Sequence, residues 1–148
     1  MDTEIWNLFH DGTLINIQGE IPGDLSLTID LEYLRKMFDQ DGKWFFLELH
    51  KCSLFEFYPY ADEDKAIDDK KSILKYDLWM TSAEKGNDQI IIYCSDGILK
   101  TRYRGYSIYF DTGKGVSEND LRIKEQESIE KAKERMKNRE ETRKNRDQ

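Results

Sequence analysis

The chain of 148 residues has two histidines and two cysteines, so few sites could combine a histidine with a cysteine or with a second histidine. The first histidine, His10, precedes Asp11 and Gly12. A metal site built on this His-Asp pair would need several further ligands, and the chain offers one other histidine. An Asp-Gly pair favours a tight turn, because glycine adopts positive φ at no steric cost. We therefore predict a turn at His10 and Asp11, and no metal.

The second histidine lies two residues before a cysteine, in the run FFLELHKC. On a β-strand, His50 and Cys52 would point to the same side, together with Trp44, Phe46 and Glu48. Side chains two residues apart on one strand are about 6 to 7 Å apart, too far for the hydrogen bond of a Cys/His nucleophile pair. The spacing therefore argues against catalysis by this pair.

A zinc site that combined His50, Cys52 and Cys94 would lack the close CxxC or HxxxH spacing typical of such sites. Cys94 alternates with Ile90 and Ile92, which predicts a buried core position. The chain also has no glycine-rich phosphate loop and no GxSxG elbow. We predict no catalytic residue, no metal and no cofactor. An enzyme whose residues come together only in the fold stays open as an alternative.

Acidic side chains dominate the first 117 residues. This part has thirteen Lys and Arg against twenty-one Asp and Glu, a balance of −8, whereas residues 118–148 have ten against nine. Binding to a nucleic-acid backbone requires basic side chains that displace counterions, so we predict no nucleic-acid partner. An acidic body favours a basic protein partner, or it serves only to keep the protein in solution.

The densest acidic stretch is ADEDKAIDDKK, residues 61–71. It has no apolar periodicity, which predicts a mobile loop. A calcium-binding EF-hand loop would need a central glycine, and this stretch has none. We predict that a basic partner contacts its five acidic side chains, which are Asp62, Glu63, Asp64, Asp68 and Asp69.

Aromatic side chains suggest an alternative function. Tyrosines are concentrated in RYRGYSIYF, residues 102–110. Exposed tyrosines and tryptophans supply large contact areas at low entropic cost, and they stack on sugars. The alternative is a ligand-binding β domain, for instance for a carbohydrate, with Trp44, Tyr103 and Tyr109 as contacts. The same residue types are equally common in ordinary strands.

Strict alternation of apolar and polar residues in DLSLTIDL, residues 24–31, predicts a half-buried strand. Shorter runs rich in β-branched and aromatic residues predict further strands. These cover residues 4–10, 13–18, 43–51, 54–58, 73–80, 89–94, 98–103 and 106–110. Asp11-Gly12, Pro22-Gly23 and Asp96-Gly97 predict turns between them.

Two segments depart from alternation. The run LEYLRKMF, residues 31–38, fits two turns of helix with one apolar side. Ser117 and Asp120 have the spacing of a capping box, and they begin about thirty residues without glycine or proline. The apolar residues of this long helix stop at Met136. Its first half could dock on the body or on another chain, and we expect its distal half to be solvated and to fray.

The runs FHDGTLINIQGEIPGDLSLTIDLEYLR and FFLELHKCSLFEF resemble small uncharacterised bacterial proteins, some of them immunity proteins that accompany secreted toxins. The resemblance covers about residues 6–58 and lies in strand and turn positions. It implies no catalytic residue, and it implies an antidote to a toxin as one form of the predicted binding function.

These patterns predict a mainly β fold, an antiparallel sandwich or strongly bent sheet of about eight strands, with one short helix and a charged C-terminal α-helix. We assign residues 1–115 to the β domain and residues 116–148 to the helix. No apolar run approaches the roughly 20 residues of a membrane span, and the start MDTEIWNLFH lacks the basic region of a signal peptide. We expect a cytoplasmic protein without membrane contact, unless it is exported without a cleavable signal.

Overall fold

The computed structural model describes residues 2–146 and shows two packed antiparallel sheets of four strands each. In chain order the elements are α1 (Glu4–Leu8), β1 (Thr13–Gly19), β2 (Gly23–Asp30), α2 (Glu32–Arg35), β3 (Phe45–Cys52), β4 (Leu54–Pro59), a 3₁₀ turn (Tyr60–Asp62), α3 (Lys70–Ile73), β5 (Met80–Gly86), β6 (Gln89–Cys94), β7 (Gly97–Arg102), β8 (Gly105–Phe110) and α4 (Glu118–Arg146). Sheet A has the strand order β1-β2-β3-β8, and sheet B has the order β4-β7-β6-β5. The predicted mainly β fold with a charged C-terminal helix is confirmed.

Apolar residues at alternate positions of the strands point between the two sheets and form the core. Leu27 of β2 is fully buried, and its neighbours Leu25 and Ile29 on the same side are buried as well. The register places Leu27 opposite Leu47 of β3, and Leu47 opposite Ile108 of β8. Burial of one such side chain stabilises the fold by about 1.5 to 3 kcal/mol.

The strand predicted at residues 4–10 is wrong, because this segment forms helix α1. Its buried residues are Ile5, Trp6, Leu8 and Phe9. A spacing of one, three and four residues fits a helical period of 3.6 and does not fit the period of two in a strand. The burial pattern therefore follows the helix.

The strand predicted at residues 73–80 is also wrong. Asp69 caps helix α3 by accepting a hydrogen bond from the backbone N–H of Ser72 at 3.0 Å, and irregular chain then leads to Met80. The sequence pattern missed strand β5, which begins at buried Met80 and ends at Gly86, with mostly exposed residues between them and Ala83 half-buried. As an edge strand it has no apolar alternation to reveal it.

The predicted short helix within residues 31–38 is confirmed as α2, but the predicted length of two turns is wrong, because α2 ends at Arg35 after 4 residues. Its last residue, Arg35, is only 3% exposed, and its guanidinium lies 4.6 Å from the ring centroid of Phe110. The guanidinium donates hydrogen bonds to Asp111 Oδ1 at 3.2 Å, to the Trp44 carbonyl at 3.1 Å and to the Gln40 carbonyl at 3.3 Å. Arg35 therefore ties α2 to the adjoining ends of β3 and β8.

The predicted capping box at the start of α4 is confirmed. The Asp120 N–H donates to Ser117 Oγ at 3.0 Å, and the Ser117 N–H donates to Asp120 Oδ2 at 3.3 Å. Leu121 is fully buried where α4 meets α1 and α2, but every residue from 129 to 146 is exposed. None of the helices between residues 2 and 146 combines the length and apolar composition that a bilayer crossing requires.

The predicted domain limits, 1–115 and 116–148, include Met1, Asp147 and Gln148, which lie outside the described residues. Fraying of the distal half of α4 stays a prediction.

A chain that ends at Met136 is expected to keep the thermal stability of the full chain, because residues 137–146 make no buried contact. Circular dichroism would show lower helix content and a nearly unchanged melting temperature. A decrease of more than about 5 °C, which corresponds to roughly 1 kcal/mol in a domain of this size, would show that the distal helix packs on the body.

Candidate functional site

The five acidic residues predicted to contact a partner lie on one segment beside β4, an edge strand of sheet B. All five are exposed. Ile67 and Phe57 of β4 exchange two backbone hydrogen bonds of 2.8 Å, and the Tyr60 N–H donates to the Asp96 carbonyl at 3.0 Å. The segment predicted to be a mobile loop is therefore hydrogen-bonded to the edge of sheet B. The sequence pattern did not predict this pairing, because Ile67 is the only large apolar residue in the stretch. We call residues 60–69 the acidic ridge.

Asp69 has a structural role within the acidic ridge. Its Oδ2 accepts hydrogen bonds from the Ser72 hydroxyl at 2.6 Å and from the Ser72 N–H at 3.0 Å. These hydrogen bonds hold the pKa of Asp69 below its usual value. None of the ion pairs formed between residues 2 and 146 includes the other four acidic residues, which are Asp62, Glu63, Asp64 and Asp68.

The three aromatic residues of the alternative function occupy different environments. Tyr103 is only 5% exposed, its hydroxyl accepts a hydrogen bond from Trp6 Nε1 at 2.9 Å, and burial raises its pKa to about 12. The prediction of an exposed ligand contact is therefore wrong for Tyr103, which continues the buried alternation of Leu99 and Thr101. Trp44 and Tyr109 are half-buried.

Both cysteines are free and buried. Burial raises the pKa of Cys94 to about 12, and it also raises the pKa of Cys52. The predicted core position of Cys94 is confirmed. The prediction that His50 and Cys52 share a face is wrong: Lys51 has φ of +51°, so alternation breaks and Cys52 turns into the core while His50 stays half-buried.

Four polar side chains from three strands meet on the outer face of sheet A. We call them the His50 cluster, and they are Asp24 of β2, Glu48 and His50 of β3, and Ser107 of β8. His50 Nδ1 lies 3.3 Å from Glu48 Oε1 and 4.0 Å from Asp24 Oδ1, and His50 Nε2 lies 2.7 Å from Ser107 Oγ. The Lys51 N–H donates to Asp24 Oδ1 at 3.0 Å.

Sequence reasoning found only part of this cluster. It placed Glu48 and His50 on one face, because they are two residues apart on a predicted strand. It missed Asp24 and Ser107, which reach His50 only through the pairing of β3 with β2 and β8. Comparisons with family models, curated proteins and solved structures find no match for this chain.

The His50 cluster has the order of groups found in serine hydrolases, with a hydroxyl and a carboxylate on opposite sides of an imidazole. Hydrolysis would also need a cleft and fixed donors for a developing oxyanion. Five surface cavities formed by the described residues are lined by other side chains. The geometry therefore gives little support to a nucleophilic serine, whereas two carboxylates and an imidazole nitrogen are suitable ligands for a cation.

Proposed function

We propose that the protein is a non-catalytic binding protein whose acidic ridge engages a basic protein partner. One observation carries this proposal. Four carboxylates that form none of the described ion pairs lie on a segment that is hydrogen-bonded to β4. A partner that binds a segment already held in place does not have to offset the full entropic cost of ordering it. The ridge is therefore suited to attract and hold a basic surface.

The charge of the body supports the same function over longer distances. Residues 1–117 have a balance of −8. Such a field speeds the approach of a basic partner, and its effect is screened beyond about 10 Å at 0.1 M salt. Tyr60 at the start of the ridge is 46% exposed, and tyrosine is enriched in protein interfaces. It offers apolar contact area beside the carboxylates.

A secreted toxin with a basic surface is the first partner to test, because some of the small bacterial proteins that residues 6–58 resemble are immunity proteins. Two buried free thiols agree with a reducing compartment such as the cytoplasm. The carbohydrate alternative has less support, since Tyr103 lies in the core.

The test compares two variants that each remove four negative charges. The ridge variant carries Asp62→Asn, Glu63→Gln, Asp64→Asn and Asp68→Asn, and it keeps the helix cap Asp69. The control variant carries Asp30→Asn, Glu32→Gln, Asp39→Asn and Asp41→Asn, which are exposed positions away from the ridge. The wild-type protein is used to capture a basic partner from the native host, and association rates are then measured by stopped flow.

We expect the ridge variant to associate about tenfold more slowly at low salt and with a flatter salt dependence, because its steering charges are gone. The control variant should lose much less. Equal rates and equal salt slopes for the wild type and the ridge variant would contradict the proposal.

A further inference from the structure

We propose that the His50 cluster binds one divalent transition-metal cation of the zinc type. Its ligand atoms would be Asp24 Oδ1, Glu48 Oε1 and His50 Nδ1. The ligand atoms that the three residues offer lie within 4.8 Å of one another. Zinc forms bonds of about 2.0 to 2.2 Å to nitrogen and carboxylate oxygen, so it requires ligand atoms about 3 to 4 Å apart. The separations of 3.3 Å and 4.0 Å from His50 Nδ1 are in this range.

The hydrogen bond to Ser107 prepares His50 for this role. When Nε2 carries the proton and donates it to Ser107 Oγ at 2.7 Å, the lone pair of Nδ1 faces the two carboxylates. Histidines that bind metals usually donate their other ring N–H to such a neighbour, which fixes the ring. Ser107 is therefore a positioning residue for the metal ligand.

Between residues 2 and 146, the carboxylates of the cluster have no basic partner other than His50. Among the described residues, no Lys or Arg forms an ion pair with Asp24 or Glu48. Two carboxylates that face a nitrogen lone pair repel each other, and each also repels the lone pair. A divalent cation bound among the three groups would replace these repulsions with attractions. The backbone N–H of Lys51 already holds Asp24 Oδ1 in position.

The donor set also indicates which metal it prefers. An imidazole nitrogen favours zinc, cobalt or nickel over magnesium, which prefers oxygen ligands. Three protein ligands leave at least one coordination position for water or for a group from another molecule. We therefore expect selective binding of zinc and cobalt.

The other histidine provides a matched control. The His10 side chain is 39% exposed and that of His50 is 35% exposed, and both lie near carboxylates. The two ring nitrogens of His10 face different groups. Nε2 lies 3.8 Å from the Asp11 carboxylate, whereas Nδ1 lies 3.9 Å from the Glu125 carboxylate and 2.6 Å from the Asn7 carbonyl. Because its ligand atoms do not converge, His10 should not contribute to binding.

The test uses the full chain after treatment with a chelator, titrated with zinc by calorimetry and with cobalt by visible absorption. We expect one site per chain and a higher melting temperature with zinc, since a ligand that binds only the folded state stabilises it. His50→Gln and Glu48→Gln should each weaken binding at least tenfold, and Ser107→Ala by a smaller factor. His10→Gln should bind as the wild type does, and a tenfold excess of magnesium should not compete.

Glu48→Gln keeps the test valid if His50→Gln does not fold, since it alters a half-exposed side chain. The proposal would be overturned by unchanged affinity in Glu48→Gln, by equal losses in His10→Gln and His50→Gln, or by a wild-type titration that does not saturate below about 1 mM.

Discussion

Leu27→Asp is expected to abolish the folded state. Leu27 is fully buried in the centre of sheet A, opposite Ile17 of β1 and Leu47 of β3. A carboxylate there would be buried without a partner, at a cost of several kcal/mol. Whole domains are stable by only about 5 to 15 kcal/mol, so this cost is a large part of the total. Circular dichroism and amide NMR spectra of the variant should show an unfolded chain.

A matched charge on the outer face serves as the control. Gln18→Asp adds the same group at an exposed position on neighbouring β1 and should melt close to the wild type. Alternation places Thr28 on the outer face as well, but it is a poor control because it is only 8% exposed. It lies opposite Asn16 of β1 on one side and Phe46 of β3 on the other. A melting temperature of Leu27→Asp within about 5 °C of the wild type would show that the face of β2 is wrongly assigned.

Arg35→Met should produce the second large loss of stability. The Arg35 side chain is 3% exposed. Its removal leaves the Gln40 carbonyl without this donor, and it leaves Asp111 with only the Lys43 N–H and the Trp44 carbonyl with only the Asp111 N–H. Removal of one partner from a buried ion pair typically costs about 3 to 5 kcal/mol. Urea unfolding at pH 7 would measure the loss.

The adjacent residue is a control for this substitution. Lys36 pairs with Glu32 at 2.6 Å, and both side chains are largely exposed. Lys36→Met should therefore leave the unfolding midpoint nearly unchanged, because solvent screens exposed pairs. Similar midpoints for Arg35→Met and Lys36→Met would contradict a structural role for Arg35.

The same ion pair predicts a dependence of stability on pH. Burial raises the pKa of Asp111, but hydrogen bonds from the Lys43 N–H and the Arg35 guanidinium outweigh burial and leave the pKa below its usual value. Because the pKa of Asp111 is lower in the folded than in the unfolded state, its ionised carboxylate stabilises the fold at a pH above the unfolded pKa of about 3.9. This stabilisation disappears as the pH falls through the folded pKa. Asp111→Asn should therefore be less stable than the wild type at pH 7, and the difference should shrink in acid.

Local patterns predicted most of the fold because the period of two in a strand and the cap of a helix are properties of neighbouring residues. The strand containing Leu27 and the helix start at Ser117 were both recognisable for this reason. Helix α1 was missed because it is only 5 residues long and because the β-branched and aromatic residues of its segment, Ile5, Trp6 and Phe9, also favour a strand. Strand β5 has no apolar alternation and is defined by its pairing with β6.

The candidate site was less predictable, since it depends on contacts between distant parts of the chain. Asp24 and Ser107 are 83 positions apart in the sequence and reach His50 through strand register alone. The attachment of the acidic ridge to β4 likewise depends on one bridge between Phe57 and Ile67. No periodicity in the sequence encodes either contact.

The docking role of the acidic ridge is tested most directly by amide NMR of the labelled full chain, titrated with an octalysine peptide. We expect the largest chemical shift changes in residues 60–69 and in adjacent β4. They should disappear in the ridge variant and at about 1 M salt, where the screening length is about 3 Å. Changes centred on residues 30–41 or on the outer face of sheet A, with residues 60–69 unaffected, would contradict the role proposed for the ridge.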